Sequence, residues 1–328
     1  MANMTFHPLS GDAGFRRYFR LGGDRSIIAV NSPPDKEKNL AYVRTSNLLR
    51  SLGVRVPKIY AVDFENGFFL LEDMGNKLLQ AQVFEGCADG LYAKAADHLR
   101  AIQSCGEKPD YIPYYDRPYL LKEMELFPEW FLLRCLGLEL DDAEKAMLQN
   151  VFSILMESAA SQPQGLVHRD FHARNLMCLD SGDIAVIDFQ DATWGPITYD
   201  YVSLARDCYL RWSIDRLDLF VEDSHKRLVK ENKITVKDID QFRRWFDLMG
   251  LQRHIKVLGV FARLSLRDNK HQYLRDFPLV LRYTIEVSRA YEELSDFNSW
   301  MLDIIVPRCQ QKSWYSDWST AGDNNALR

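Results

Sequence analysis

The stretch HRDFHARN, residues 168 to 175, sets Asp170 and Asn175 five positions apart, and thirteen positions later the run GDIAVIDF brings Asp188. Phosphoryl transfer asks little covalent chemistry of a protein. It needs a carboxylate to orient and deprotonate the attacking hydroxyl, and oxygen ligands for the Mg²⁺ that rides on the triphosphate. Asp170 in a polar loop, then LMCL, a Ser-Gly turn and a second apolar run ending at Asp188 supply both. Either fragment alone is weak, because D-x4-N arises by chance and a single Asp at a strand end commonly caps a turn. Their combination carries the reading: Asp170 as base, Asn175 and Asp188 as metal ligands facing out from adjacent strands.

These groups must be positioned by the surrounding elements. FRRYFRL and SIIAVN, joined through GGD, read as a β-hairpin. After PPD, KEKNLAYVRTSNLLRSLG has Leu40, Val43, Leu48 and Leu49 near helical spacing and Gly53 as its stop. KIYAVDF and GFFLLED follow as strands turning at Glu65-Asn66-Gly67. Residues 1–75 are therefore expected to form a small sheet of about four strands with one helix. From about residue 85 the apolar spacing is helical, with DIDQFRRWFDLMGLQRHIKVLGVFARLSLRD the longest such segment. The helical pattern is interrupted between Gly165 and Phe189, where GLV and LMCL are expected as short strands that hold the catalytic loop. The predicted architecture is α+β and bilobal: residues 1–75 as a β/α nucleotide-binding lobe, and residues 76–328 as a mostly helical lobe carrying the catalytic and metal loops. LLEDMGNK marks the junction, and the polar tail after Pro307 is expected on the surface or frayed.

The 328 residues are 47% hydrophobic and 27% charged, sufficient for a large core and two lobes. A net charge of −5 with mixed signs lacks the basic footprint of nucleic-acid binding. Cys87, Cys105, Cys135, Cys178, Cys208 and Cys309 show no CxxC or metal-ligand spacing and read as reduced thiols. The N-terminal MANMTFHPLSGD has no apolar signal region, and no apolar run approaches the ~20 residues needed to span a bilayer. The expectation is a soluble cytoplasmic protein, with no membrane association and no evident obligate protein partner.

HRDFHARN and IDFQ resemble the catalytic and metal loops of the aminoglycoside phosphotransferase-like branch of the protein-kinase-like superfamily, with Gln190 where protein kinases carry Gly. The resemblance implies the bilobal fold, ATP and Mg²⁺ as cofactors, and the roles above for Asp170, Asn175 and Asp188, with His168 as a buttress of the loop. It also implies a phosphate-covering loop in SGDAGFRRYFR, where Gly11 and Gly14 allow close backbone approach and Phe15 covers the adenine. Backbone groups of Glu72 and Met74 would meet the adenine edge. One departure stands out: IIAVNSPP carries Asn31 where an ATP-pairing lysine is expected. Arg16, Arg17, Lys36 and Lys38 are the nearby cations, and Arg17 is favoured to replace it.

For the acceptor, Asp191 is a candidate for a substrate hydroxyl, and Asp200 for a structural helix cap. Arg169, Arg174, Arg206 and Arg211, with seven Lys/Arg against three Asp over residues 240–270, lean toward a neutral or carboxylate-bearing acceptor rather than a cationic one. Arg174, Asp191 and Arg206 are the residues assigned to it. Arg253 and His254 interrupt a helix whose Phe242, Phe246, Met249, Val257, Val260 and Phe261 read as core. GDAGFRRYFR, HRDFHARNLM, IDFQDATWGPITYDYVSLARDCYLRW and FDLMGLQRHIKVLGVFARL resemble bacterial kinases acting on the anomeric (C1) hydroxyl of N-acetylmuramate and N-acetylglucosamine. That resemblance implies a small amino-sugar substrate and a place in peptidoglycan recycling. Other readings are a kinase of an aminoglycoside, choline or homoserine, or a regulatory pseudokinase. Gly195 follows Asp188 by seven positions, too few for the peptide-docking segment of a protein kinase.

Overall fold

In the computed structural model the described residues are 5–9, 14–22, 27–84 and 88–323. Packing divides the chain into two compact units, residues 1–113 with 166–193, and residues 114–165 with 194–328.

The first unit is built on a five-stranded antiparallel sheet in the order β1-β2-β3-β5-β4. Its strands are β1 (Phe6–Leu9), β2 (Arg17–Leu21), β3 (Ile27–Asn31), β4 (Ile59–Asp63) and β5 (Phe68–Glu72). The expected β2–β3 hairpin forms, and β1 adds an edge strand beyond the four expected. Side chains alternate across the sheet, so Ile28, Val30, Phe69 and Leu71 are buried while Phe68 and Leu70 are exposed. Helix α1 (Asn39–Ser51) packs its Tyr42 ring edge-on to Phe69, with centroids 5.7 Å apart. Gly53 ends the helix with φ +82°, and the Val54 N–H returns to Leu49 O at 2.9 Å. Helices α2 (Leu79–Phe84) and α3 (Ala88–Gln103) follow in this unit.

The second unit is helical. Asp116 caps α4 (Arg117–Met124) by accepting from the Tyr119 N–H at 3.1 Å. The helical spacing that continues past α4 is met by a π-helical segment, Phe127–Leu136, with Pro128, which lacks a backbone donor, in its first turn. Asp141 and Glu144 form a reciprocal capping box at the start of α5 (Asp142–Ser161). Helices α6 (Tyr199–Ala205) and α7 (Ile214–Lys230) precede the 30-residue α8 (Ile239–Asp268). α8 packs closely against the π-helical segment because Gly259 has no side chain: a Cβ there would lie 2.4 Å from the Leu126 carbonyl carbon. Phe242, Phe246, Met249, Val257 and Phe261 of α8 are buried, and Val260 is half-buried.

Helix α9 (Phe277–Arg289), α10 (Ser295–Trp300) and α11 (Val306–Gln310) complete the unit. The tail after Pro307 lies at the surface but is pinned rather than frayed as far as residue 323: Arg282 Nη1 donates to Ala321 O at 2.8 Å and to Asp323 at 2.6 Å. Among the described residues no helix is long and apolar enough to cross a membrane. Cys105, Cys135, Cys178, Cys208 and Cys309 are free thiols; Cys87 lies outside the described residues.

Candidate active site

Strands β6 (Gln164–Val167) and β7 (Leu176–Cys178) flank the catalytic loop as expected, but they do not pair with each other. β7 instead forms a hairpin with β8 (Ile184–Val186), in the register Leu176↔Val186 and Cys178↔Ile184, turning at Gly182 with φ +78°. The Ile187 N–H extends this ladder to Asn175 O at 3.0 Å. Asn175 thereby enters the hairpin and Asp188 leaves it at the same end. The Asn175 carboxamide Nδ2 donates to Asp170 O at 3.0 Å and lies 3.5 Å from Asp188 Oδ2. That use of the nitrogen leaves the carboxamide oxygen as the atom that could meet a metal.

His168 is buried. Its Nδ1 accepts from the Asp170 N–H at 3.3 Å, so Nε2 carries the proton and donates to Ile187 O at 3.0 Å. The imidazole thus ties the catalytic loop to the far strand of the hairpin, the geometry of a buttress. Arg169 and Asp188 hold φ +78° and +63°. Left-handed backbone at non-glycine residues costs roughly 1–3 kcal/mol each and persists where surrounding contacts enforce it, commonly in functional sites.

Asp188 keeps solvent exposure, yet protein atoms crowd its carboxylate. That desolvation, with further repulsion from Asp170 and Asp191, pushes its pKa up to about 6 against the pull of a Gln190 hydrogen bond and the Arg16 charge. The Gln190 Nε2 donates to Asp188 Oδ1 at 2.8 Å, while Gln190 Oε1 is buried without a hydrogen-bond partner among the described residues. A destabilised carboxylate, a carboxamide oxygen and an orphaned amide oxygen make a hard-oxygen environment that fits Mg²⁺, which takes few protein ligands and completes its shell with water and phosphate.

On the nucleotide side, the Glu72 N–H is committed to Lys58 O at 2.8 Å, so an adenine contact from Glu72 would use its carbonyl. The Glu72 carboxylate pairs bidentately with Arg55 at 2.6 and 2.8 Å, which holds it below the usual glutamate range. Arg20 grips the Asp73 carboxylate at 2.5 and 2.9 Å and reaches Gly75 O at 3.1 Å, fixing the segment that contains Met74. The buried Met74 side chain clusters with Met177 and Ala185, with Ile187 packed against them. Gly14 comes close enough to Glu37 that a Cβ would sit 3.1 Å from Oε1, and that same oxygen accepts the Phe15 N–H at 2.8 Å. Phe15 is exposed, with Lys36 Nζ 5.0 Å from its ring centre. Gly11 lies outside the described residues. Arg17 opens β2 and is exposed, whereas Arg16 turns inward.

Each of the three acceptor candidates is engaged by another side chain. Asp191 is held by Lys38 Nζ at 2.6 Å, and Arg174 Nε donates to Gln80 Oε1 at 3.0 Å. Arg206 belongs to the second unit, where it pairs with Asp247 at 2.7 Å and stacks over Phe246. Tyr291 donates to the other oxygen of Asp247 at 2.8 Å. Asp200 is buried in the first turn of α6. Arg253 and His254, which by sequence could reach an acceptor cleft or lie at the surface, are both buried. Burial drives the His254 pKa down to about 3, and its Nε2–H donates to Arg206 O at 3.2 Å.

A family model described as the phosphotransferase enzyme family matches residues 5–230. The chain belongs to the phosphotransferase enzyme family. It is 40% identical over 290 residues to the N-acetylmuramate/N-acetylglucosamine kinase of Pseudomonas aeruginosa, covering 88% of this chain and 85% of that one. It is 38% identical over 311 residues to the protein of the same name from Neisseria meningitidis serogroup B, covering 92% and 91%. In fold it is similar to a Plasmodium vivax ethanolamine kinase, with a TM-score of 0.60 at 15% identity over 86% of this chain and 82% of that one. These matches bear out the protein-kinase-like α+β fold and the membership expected from HRDFHARN and IDFQ.

Within this phosphotransferase, sequence reading passed over Arg20, Asp73, Glu37 and Tyr42 as site neighbours. A signal for some of them was available. In FRRYFRL, Arg16, Tyr18 and Arg20 share strand parity, which opposes them to Arg17 and Phe19. No comparable pattern marks Glu37 or Tyr42, whose contacts are set by how α1 lies on the sheet.

Proposed function

We propose that this phosphotransferase is an ATP- and Mg²⁺-dependent kinase of the anomeric hydroxyl of N-acetylmuramate and N-acetylglucosamine, acting in the cytoplasm in peptidoglycan recycling. The observation that carries the reading is the 40% identity, over 88% of the chain, to a kinase named for these two sugars. Residues 1–75 would hold the nucleotide, with adenine against backbone groups of Glu72 and Met74. Residues 76–328 would carry the catalytic and metal loops.

In this reading the Asp170 carboxylate accepts a hydrogen bond from the C1 hydroxyl and takes its proton as the oxygen attacks the γ-phosphorus. The bond from that phosphorus to the bridging oxygen breaks, ADP leaves, and Asp170 passes its proton to solvent. His168 and Asn175 position Asp170 through its backbone N–H and carbonyl. The Asn175 and Asp188 oxygens would hold Mg²⁺, which supplies positive charge against the phosphate oxygens. Arg174, Asp191 and Arg206 remain the proposed acceptor residues, each reached by releasing its present partner. An aminoglycoside or choline acceptor would call for a carboxylate-rich pocket, which the arginines do not provide. The pseudokinase reading rests on Asn31 alone.

The test is coupled ADP release with N-acetylmuramate, N-acetylglucosamine, choline, homoserine and an aminoglycoside, followed by a reducing-sugar assay of the product. Turnover is expected with the amino sugars, giving a product without a reducing end, since phosphate on C1 blocks ring opening. Turnover with another acceptor and none with either amino sugar would sink the substrate assignment. A product that still reduces would sink the anomeric one.

A further inference from the structure

A nucleoside triphosphate brings several negative charges, and Asn31, at the end of β3 and paired in register with Arg17, leaves its strand without a cation to meet them. Four cations lie nearby in sequence. Lys38 is committed to Asp191, and its side chain is 67% exposed. Lys36 lies against the exposed Phe15 ring, and Arg17 is itself exposed. Arg16 differs from all three. Its side chain is 8% exposed, its Nε donates to Ser32 Oγ at 3.1 Å, and its guanidinium lies 5.1 Å from the centre of the Tyr42 ring. Ser32 is in turn fixed to α1, donating through Oγ to Asn39 Oδ1 at 2.5 Å.

Arg16 Nη2 stands 3.3 Å from Glu37 Oε2, an ion pair without a directed hydrogen bond, and the guanidinium also meets the Tyr18 hydroxyl. A guanidinium nitrogen that is ion-paired without a directed hydrogen bond keeps a donor to offer an anion. Glu37 also holds the loop backbone at Phe15, so one carboxylate fixes both the segment expected over the phosphates and the cation beside it. The Arg16 charge is felt at Asp188, which puts it within electrostatic reach of the metal ligand.

We propose that the Arg16 guanidinium, held by Glu37, Ser32 and Tyr42, contacts the polyphosphate of a bound nucleoside triphosphate in place of the lysine absent at Asn31. The proposal rests on the kinase reading above. Arginine suits the position because it stays charged when buried and offers several donors in a fixed plane, whereas a buried lysine sheds its proton more readily.

The experiment is titration calorimetry of the full chain with Mg-ATP, Mg-ADP and adenosine, comparing wild type with Arg16→Gln, Arg16→Lys, Glu37→Gln and Arg17→Gln. Loss of a charge-assisted contact should weaken ATP binding about 10- to 100-fold in Arg16→Gln. Adenosine binding should be unchanged, because adenosine has no phosphate to contact. Arg16→Lys should recover part of the loss. Glu37→Gln, which frees Arg16, should lower ATP affinity with adenosine again unchanged, and it gives the answer if Arg16→Gln does not fold. Equal loss of ATP and adenosine affinity would assign Arg16 a purely structural role and overturn the proposal. So would a loss confined to Arg17→Gln, or a wild type that binds neither nucleotide. If the Arg16 pattern holds while no amino sugar is phosphorylated, the proposal stands and the substrate assignment falls.

Discussion

The ring of Tyr42 on α1 stacks on Phe189, the residue after the candidate metal ligand Asp188, with centroids 4.8 Å apart and 27° between the planes. Tyr42 also meets Phe69 of the sheet edge-on and lies under the Arg16 guanidinium. Helix, sheet and the segment that follows β8 therefore meet at one aromatic ring beside Asp188.

Replacing Tyr42 with Leu keeps an apolar side chain but removes the stack. We expect a destabilisation of about 1–3 kcal/mol in urea unfolding, the range for imperfect core replacement. A double-mutant cycle with Phe189→Leu should return a coupling of about 0.5–1.5 kcal/mol, the increment of an aromatic pair beyond area burial. The KM for ATP should rise along with the loss of stability. Additive single effects would mean that the two rings are neighbours without being coupled.

Asp170→Asn keeps size and shape while removing the acceptor for the hydroxyl proton. Turnover in the ADP-release assay should drop by about 10²- to 10⁴-fold, the usual worth of a general base. ATP affinity should stay within error, because Asp170 is assigned to the acceptor and not to the nucleotide. Near-normal turnover on every accepted sugar would remove Asp170 from the role of base.

Asp188 supplies a pH signature. Its pKa is raised from 3.8 to about 6, so the folded state favours the protonated acid more than the unfolded chain does. The stability it contributes is fully present below pH 3.8 and is lost as pH rises through about 6. In EDTA, Asp188→Asn should therefore unfold at higher urea than wild type at pH 8, with the gain shrinking toward pH 4. The same proton competes with metal, so the acid limb of wild-type activity should move to lower pH as Mg²⁺ is raised. A stability difference that ignores pH would show that Asp188 does not titrate as assigned.

The elements of this protein were legible along the chain because their signals are local. Strand alternation in FRRYFRL and GFFLLED, helical spacing in α1 and α8, and the turn at Ser181-Gly182 each depend on a few neighbouring residues. The D-x4-N loop and the hairpin after it were legible for the same reason, since one antiparallel register suffices to bring Asn175 and Asp188 to the same end. Local pattern failed at partner choice. That Lys38 would hold Asp191 across 153 positions, that Arg206 would pair with Asp247, and that His254 would lie buried and neutral are outcomes of packing between distant segments. The same limit applies to the cation proposed to meet the nucleotide. Sequence named Arg16, Arg17, Lys36 and Lys38 and favoured Arg17, although nothing in residue type separates the two adjacent arginines. Only the tertiary structure turned one inward, where Glu37, Ser32 and Tyr42 converge on it, and left its neighbour in water. Residue types and spacing determined which chemistry the chain could carry; the packing of α1 against the sheet decided which side chains stand where that chemistry can use them.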